Sequence, residues 1–502
     1  MKKGGWLILL LIIFFGFFLR IRNLSEPYLW QDEAESAIYA FQILDQGYPH
    51  SEFRGETLYE NKLIFLADGG KYQYQSTNFF GSRYEKNKGW LPYYLMALSF
   101  KVLGASNFSA RLPSVLISVL TIILVFFLTK EFFSIGLSLS AAFLYAINYA
   151  AIYYERQARY YSLEIFLVII NLYLFYLFLK TKKDKFLFLT SVGLILLFYT
   201  HIVIFLTLVA FLAGYYFCEN RNFLIFKNKI FWLSAAVFLV LTIPWLYWVK
   251  FSQVSSYAFS RFRYNLLMLF FISLNLLILA AIKFLYQYLT KKKFKLNLQK
   301  EKFFYLIFFL VLSTVMISLI LPGESLASRA FVICLPFLTI FLAYYFFQIF
   351  SSFFAFKNLV LFGLFFVWFI FLFSTWGLIF NQDYNFDWIK ALVDYLKSEN
   401  ISADTLILSA YEQFPLMFYT KNPVQAIWPL SCEFLKNYPQ RLIFVRKVSV
   451  PPEVTGGFFF GERASDKFFE LFSCFTYNKN CLMIGKNGVI IYDCLAKGEE
   501  KN

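Results

Sequence analysis

The chain has 502 residues, 59% of them hydrophobic and only 16% charged, with 68 Phe. Soluble domains carry about 25% charged and about 45–50% apolar residues, so a water-soluble globular protein is excluded and a polytopic membrane protein is expected. The net charge of +16 does not argue for nucleic acid, because Lys and Arg are scattered between apolar runs, where they set topology and meet anionic lipid.

In chain order, apolar runs of spanning length fall at roughly 5–20, 113–130, 135–153, 162–180, 186–200, 202–218, 230–248, 265–284, 303–321, 331–350 and 358–380, about eleven in all. The first follows Met1-Lys2-Lys3 and ends in Phe17-Phe18-Leu19-Arg20 with no small-residue cleavage site, so a retained helix is expected. Sidedness follows from charge. Lys2, Lys3, Lys130, the Lys180–Lys185 run, Arg221, Lys227, Lys229, Lys283, the Lys291–Lys302 cluster and Lys357 make eighteen basic residues on one set of connections. The short connections of opposite parity hold six: Arg156, Arg159, Lys250, Arg261, Arg263 and Arg329. The positive-inside rule puts the first set, and the N-terminus, in the cytoplasm. The loop after the first span and the C-terminal tail then face outward.

That first outer loop is long, roughly 21–112, and opens with the adjacent acids of Trp30-Gln31-Asp32-Glu33. Acids this close to a bilayer cost desolvation energy unless something uses them, which makes them functional candidates. Two compatible readings stand. Asp32 caps a helix beginning near Glu33, with both acids favouring its positive end; or Asp32 is a general base for an acceptor hydroxyl. The spacing of Ala34, Ala37, Ile38, Phe41 and Leu44 predicts an amphipathic helix that Gly47 ends. A second runs from Pro92 to about Leu103, and both are expected to lie in the interface. Lys86 and Lys88 add charge just before Gly89-Trp90-Leu91-Pro92; solvated surface is the plain explanation for them.

Between the third and fourth runs stands Tyr153-Tyr154-Glu155-Arg156-Gln157-Ala158-Arg159-Tyr160-Tyr161-Ser162. Arg156 and Arg159, at i and i+3, are expected to share a helical face at the outer boundary. Snorkelling anchors account for them; so does a lipid-phosphate site, since Arg forks suit phosphate oxygens. His201, in Tyr199-Thr200-His201, reads as a hydrogen-bonded structural histidine. Arg261, Arg263 and Arg329 read singly as anchors. No Walker loop, Rossmann glycine pattern, nucleophile elbow or internal repeat is present.

After residue 380 polar residues return. A helix over Asp387–Glu399 and strands at Asp404–Leu408, Arg441–Val445 and Val489–Tyr492 predict a small α/β domain on the outer face. Cys432, Cys474, Cys481 and Cys494 lie in it, either as disulfides or as free buried thiols, with no zinc-ligand spacing.

Taken together, Asp32-Glu33, the Lys88-to-Gly104 stretch running into Ser109-Ala110-Arg111-Leu112-Pro113-Ser114, the Tyr154-to-Ser162 segment, Tyr199-Thr200-His201, and Arg329 with Leu335-Pro336 resemble the polyprenyl-phosphate-dependent glycosyltransferases of GT-C architecture. The nearest group is the protein O-mannosyltransferase and lipid A aminoarabinose transferase superfamily, including its bacterial branch that adds galacturonic acid to lipopolysaccharide core. Where such relatives often read Lys-Pro-Pro-Leu-Tyr-Tyr, this chain has Lys88-Gly89-Trp90-Leu91-Pro92-Tyr93.

The resemblance implies a transmembrane domain over 1–380 of about eleven helices, with an extracytoplasmic domain over 381–502. It implies a multi-pass plasma-membrane enzyme that transfers a sugar, with inversion, from a polyprenyl-phosphate donor to an extracytoplasmic acceptor. Asp32 maps to the base and Glu33 to a supporting role. Arg156, Arg159, Lys88 and Arg329 map to the grip on the donor phosphate. Partners are the lipid-linked sugar, the acceptor and membrane lipids, without nucleic acid. No cofactor is indicated; a divalent metal is compatible with the chemistry. A transporter or flippase of a lipid-linked sugar is the alternative, although such proteins often show repeated halves and broken intramembrane helices.

Overall fold

The computed structural model describes residues 3–26, 28–50, 52–54, 56–66, 71–78, 89–220, 224–249 and 332–350, and, towards the C-terminus, 387–399, 401–402, 405–409, 413–420, 422–426, 433, 441–447, 473, 481–486 and 489–494. They fall into two compact units.

The first unit takes residues 1–22, 87–92 and 111–381. It is helical throughout its described part: α1 (Lys3–Ile21), most of α4 (Asn107–Phe132), α5 (Ile135–Ala146), α6 (Tyr149–Glu155), α7 (Tyr161–Thr181), α8 (Asp184–Phe198), α9 (Ile202–Asn220), α10 (Lys229–Trp248) and α11 (Leu335–Phe350). Among the described residues, α1, α4, α7 and α10 are long and apolar enough to cross a membrane, and the apolar pair α5–α6, bent by 58°, has the form of a broken span or a re-entrant loop. The 15-residue α8 is shorter, as are the apolar stretches Ile202–Tyr216 and Val332–Tyr344. The expected spans 265–284, 303–321 and 358–380 lie outside the described residues. The exposed faces of α1 and α10 carry Leu7, Leu10, Leu11, Phe14, Trp232, Val240 and Ile243, which is the surface a lipid-facing helix presents.

The α5–α6 break is held by one side chain. Arg20, at the end of α1, is fully buried. Its Nη1 donates to the carbonyls of Ala146 (2.8 Å) and Gly16 (3.1 Å), and its Nη2 to that of Tyr145 (3.4 Å). Helix ends leave carbonyls without intrahelical partners, and inside a bilayer no water replaces them; Arg20 serves those of α5. It also pairs with Glu155, the last residue of α6, through Nε (2.9 Å) and Nη2 (2.7 Å). Tyr145 Oη donates to the other Glu155 oxygen at 2.6 Å. Asn148 begins α6 by accepting from the Ala151 amide.

The second unit takes residues 23–86, 93–110 and 382–502. It contains α2 (Gln31–Gln46), the two-residue strands β1 (Glu52–Phe53) and β2 (Glu56–Thr57), the antiparallel hairpin of β3 (Tyr59–Leu66) and β4 (Lys71–Asn78), and most of α3 (Leu91–Leu103). As the spacing predicts, α2 ends at Gly47, whose φ of 85° puts it in the left-handed region that glycine enters without a steric penalty.

The C-terminal residues of this unit supply α12 (Asp387–Ser398), β5 (Leu406–Ser409), α13 (Gln413–Tyr419), β6 (Val424–Ala426), β7 (Leu442–Lys447), β8 (Cys481–Lys486) and β9 (Val489–Cys494). The sheet order is β6-β5-β7-β9-β8; β5 is parallel to β6 and β7, while β9 is antiparallel to β7 and β8. The expected helix and three strands are present. The strands β6 and β8 and the helix α13 are additional, being too short or too irregular in pattern to read from sequence. The interior strand β5, parallel to both its neighbours, is buried at every position, which accounts for its unbroken apolar run. Arg441 makes a bidentate pair with buried Asp493, which also accepts from Tyr395 Oη at 2.9 Å. Cys481 and Cys494 stand opposite each other in β8 and β9 and are disulfide-bonded. Cys432 and Cys474 lie outside the described residues.

The first loop and the C-terminal segment pack together within this unit. Tyr419 Oη accepts from the Leu29 amide and donates to Asn107 Oδ1, both at 2.6 Å. Its ring lies 4.4 Å from that of Tyr28. The Phe414 amide donates to Gln31 Oε1, and Arg54 Nη1 donates to the Thr420 carbonyl at 2.7 Å. Phe41 contacts Phe53, Phe100 and Phe418.

Candidate functional site

In the first unit the singled-out residues gather around the turn that follows α6. The helix stops at Glu155, and residues 156–160 are irregular. Arg156 and Arg159 therefore do not share a helical face, which corrects the expectation from their spacing. The turn is fixed at both ends. Glu155 is locked by Arg20, and Ser162 Oγ, one residue into α7, donates to the Ser114 carbonyl at 2.6 Å. Between these anchors the two arginines part. Arg156 is partly exposed, and its Nη2 donates to the Arg22 carbonyl at 2.8 Å. Arg159 is only 6% exposed, and its guanidinium lies over the Tyr160 ring at 5.2 Å.

Tyr160 in turn stacks on His201, with ring centroids 4.8 Å apart and planes 9° from parallel. His201 Nδ1 is 3.5 Å from Glu164 Oε2, in the first turn of α7. Arg159 interacts electrostatically with both Glu164 and His201. The result is a buried polar cluster of Arg159, Tyr160, His201 and Glu164. His201 is thus held by stacking on Tyr160, and its Nδ1 has no hydrogen-bond partner. Tyr199-Thr200 serves a second purpose. The Leu91 amide donates to the Tyr199 carbonyl at 2.9 Å, and a Cβ on Gly89 would overlap that carbonyl. Glycine at 89 is therefore what lets the segment lie against this turn, where Trp90 meets Trp245 edge-on. Lys88, the next residue upstream, and Arg329 lie outside the described residues.

In the second unit Asp32 and Glu33 occupy the first turn of α2. The N-cap is Trp30, with extended backbone and no side-chain cap bond, so Asp32 is not the cap residue; the helix begins two residues earlier than the acids suggest. Both carboxylates still sit where the helix macrodipole favours negative charge. Their environments differ: Glu33 is buried and Asp32 is partly exposed, with its carbonyl accepting from Ser36 Oγ at 3.0 Å. Among the described residues, no three His, Cys, Asp or Glu side chains come together as a metal site.

Two further residues matter here. Glu164 is an acid inside the expected span 162–180, and Arg20 is a cation at the end of the first; ionisable residues in spans are rare enough to have been flagged on that ground. Their partners, His201 and Glu155, could not have been named, because they come from distant stretches of chain.

Residues 87–248 match the family model described as dolichyl-phosphate-mannose-protein mannosyltransferase. Among curated protein sequences, none matches the chain significantly. Among solved structures, the fold is similar to that of ArnT from Cupriavidus metallidurans in the apo state, with a TM-score of 0.60 over 98% of both chains at 11% identity. It is also similar to the same protein bound to undecaprenyl phosphate, with a TM-score of 0.55 at 10% identity over 98% of each chain. The archaeal oligosaccharyltransferase AglB from Archaeoglobus fulgidus, in complex with an inhibitory peptide and a dolichol-phosphate, gives a TM-score of 0.50 at 11% identity. That match covers 98% of this chain and 74% of AglB. At these identities the likeness is one of fold, and it agrees with the GT-C resemblance of the sequence.

Proposed function

We propose that the chain is an integral-membrane glycosyltransferase that moves a sugar from a polyprenyl-phosphate donor to an acceptor hydroxyl outside the cytoplasm, on a glycolipid, polysaccharide or protein. The observation that carries this reading is a coincidence of position. The stretch that matches the mannosyltransferase model, 87–248, is the one that supplies the buried Arg159–Tyr160–His201–Glu164 cluster. The undecaprenyl phosphate bound by ArnT, which shares the fold, supports a lipid phosphate as the donor carrier.

The chemistry is a single displacement. Asp32 takes the proton of the acceptor hydroxyl, whose oxygen bonds to the anomeric carbon from the face opposite the phosphate. The bond from that carbon to the phosphate oxygen breaks, so configuration inverts and prenyl phosphate leaves with its negative charge. Arg159 stabilises that charge, with Arg156, Lys88 and Arg329 as further cations for the phosphate; a preorganised cation in a water-poor site is worth far more than one in solvent. Glu33 supports Asp32. No redox cofactor enters. The N-terminus is cytoplasmic and the C-terminal residues extracytoplasmic, a placement supported by the charge asymmetry of the loops and by the Cys481–Cys494 disulfide, a bond that persists in oxidising compartments.

The test is transfer by purified protein from a panel of radiolabelled undecaprenyl-phosphate sugars to an envelope extract. Asp32→Asn is expected to reduce transfer by at least about a hundredfold, the scale of general-base catalysis, and to leave binding of undecaprenyl phosphate within about twofold. Transfer at the wild-type rate by this variant overturns the base assignment. A wild-type protein that neither binds undecaprenyl phosphate nor transfers any sugar overturns the function.

A further inference from the structure

Two buried carboxylates flank the same turn, and the protein treats them in opposite ways. Both oxygens of Glu155 are bonded, to Arg20 and to Tyr145. Glu164 is equally buried, at 1% exposure, yet neither of its oxygens accepts a hydrogen bond. His201 Nδ1 stands 3.5 Å from its Oε2 and is likewise without a hydrogen-bond partner. Tyr161 Oη and Gln157 Oε1, from the same stretch, complete a concentration of buried polar atoms with no internal bond. Buried polar groups in folded proteins are almost always satisfied, and a concentration of exceptions at one turn marks a strained, solvent-served or ligand-served place.

We infer that Glu164 and His201 form a recognition pair for the hydroxyl or amino groups of the donor's sugar, separate from the grip on its phosphate; this rests on the glycosyltransferase reading. The chemistry of the pair selects the ligand. A carboxyl group and an imidazole side by side present several acceptor and donor positions for O–H and N–H groups. Two side chains of this kind suit neighbouring hydroxyls of a sugar ring. Placement selects the donor rather than the acceptor. Tyr160 touches both the Arg159 guanidinium and the His201 ring, so the phosphate cation and the pair are one aromatic ring apart. A sugar joined to phosphate through one glycosidic oxygen lies within that reach.

The pair makes the site specific. A site built to bond a hydroxyl discriminates strongly against a ligand that lacks it, because its own groups are then left buried and unpaired. The full-length protein in nanodiscs is titrated with bare undecaprenyl phosphate and with undecaprenyl phosphate carrying a hexose, an amino-pentose or a hexuronic acid. The wild type is expected to bind at least one glycosylated lipid about tenfold more tightly than the bare phosphate. Glu164→Gln and His201→Phe are expected to bring that ratio close to one, with affinity for the bare phosphate within about twofold of wild type. Melting temperature should be unchanged or higher in Glu164→Gln, since Gln keeps the shape of the side chain and Glu164 makes no internal hydrogen bond to lose.

A second measurement needs no substitution. The chain has two histidines, His50 and His201. With ¹⁵N-histidine labelling, the His201 imidazole resonances are expected to shift on adding the preferred glycosylated lipid and to stay in place with bare undecaprenyl phosphate. Variants that keep the wild-type preference, or His201 resonances that respond equally to both lipids, overturn the inference and leave the glycosyltransferase reading standing. Absence of any binding to undecaprenyl phosphate overturns both.

Discussion

At the scale of single residues, the molecule separates arginines that the sequence presents as equals. Arg156 and Arg159 are three apart in a tyrosine-rich motif, but Arg159 is buried over Tyr160, whereas Arg156 is partly exposed and reaches the Arg22 carbonyl. A cation in a low-dielectric site acts on an anion more strongly than one in contact with solvent. Arg159→Ala is accordingly expected to weaken undecaprenyl phosphate binding by about ten- to a hundredfold, the range of a lost charge-assisted hydrogen bond. Arg156→Ala should cost about threefold or less, as exposed ion pairs do. Titration of the two variants with the same lipid checks this, and equal losses would count against the division. The acids divide in the same manner: Glu33 is buried and Asp32 partly exposed, and only the latter has the access to water and ligand that a base needs.

At the scale of elements, the turn bearing Arg159 is positioned by Arg20. That side chain serves the open carbonyls at the end of α5, pairs with the last residue of α6, and so fixes both sides of a 58° bend from a third helix, α1. Removing one partner of a buried pair leaves the other charged and unsatisfied. Arg20→Met is expected to destabilise the protein by about 3–5 kcal/mol, measured as thermal unfolding in detergent. The double change Arg20→Met with Glu155→Gln should recover part of that loss, because the orphaned charge is gone. In the second unit, the cross-strand disulfide closes a chain separation of 13 residues between β8 and β9. Replacing Cys481 and Cys494 together by Ser is expected to cost about 3 kcal/mol, seen as earlier proteolysis of the C-terminal residues. Tyr395 adds a pH dependence to the same sheet. Burial first, and the Asp493 charge second, push its phenol above the usual tyrosine range. A folded pKa raised above the unfolded one gives stability that is complete below pH about 10 and lost as pH climbs through the folded value. Unfolding followed from neutral to strongly alkaline pH should show a decline only above about 10, and Tyr395→Phe should flatten it.

At the scale of the whole molecule, the fold is similar to that of ArnT, and the second unit is built from chain segments far apart in sequence. The loop after α1 and the residues beyond 382 share one packed unit, in which Tyr419 bonds Leu29 and Asn107 and Phe418 meets Phe41. The C-terminal residues thus belong to the same body as Asp32, a connection that the division at residue 380 does not reveal. If the termini face opposite sides as proposed, alkaline phosphatase fused after Asn502 is active and the same reporter placed before Lys3 is not; the reverse pattern would overturn the orientation.

What the sequence determined by itself is what depends on neighbours along the chain. Membrane class, most of the described helices, the α2 and α3 helices with the Gly47 stop, and the order of motifs that resembles GT-C enzymes all follow from hydropathy, periodicity and local spacing. Tertiary structure decided the rest. It ended α6 at Glu155 and so parted Arg156 from Arg159, brought His201 to Glu164, set Arg20 against Glu155, and chose Cys481 for Cys494. Each of these is an encounter between side chains from different helices, strands or turns. Its energy comes from burial and from hydrogen bonds that exist only once those elements have packed, and no local pattern of residues records which partner that packing supplies.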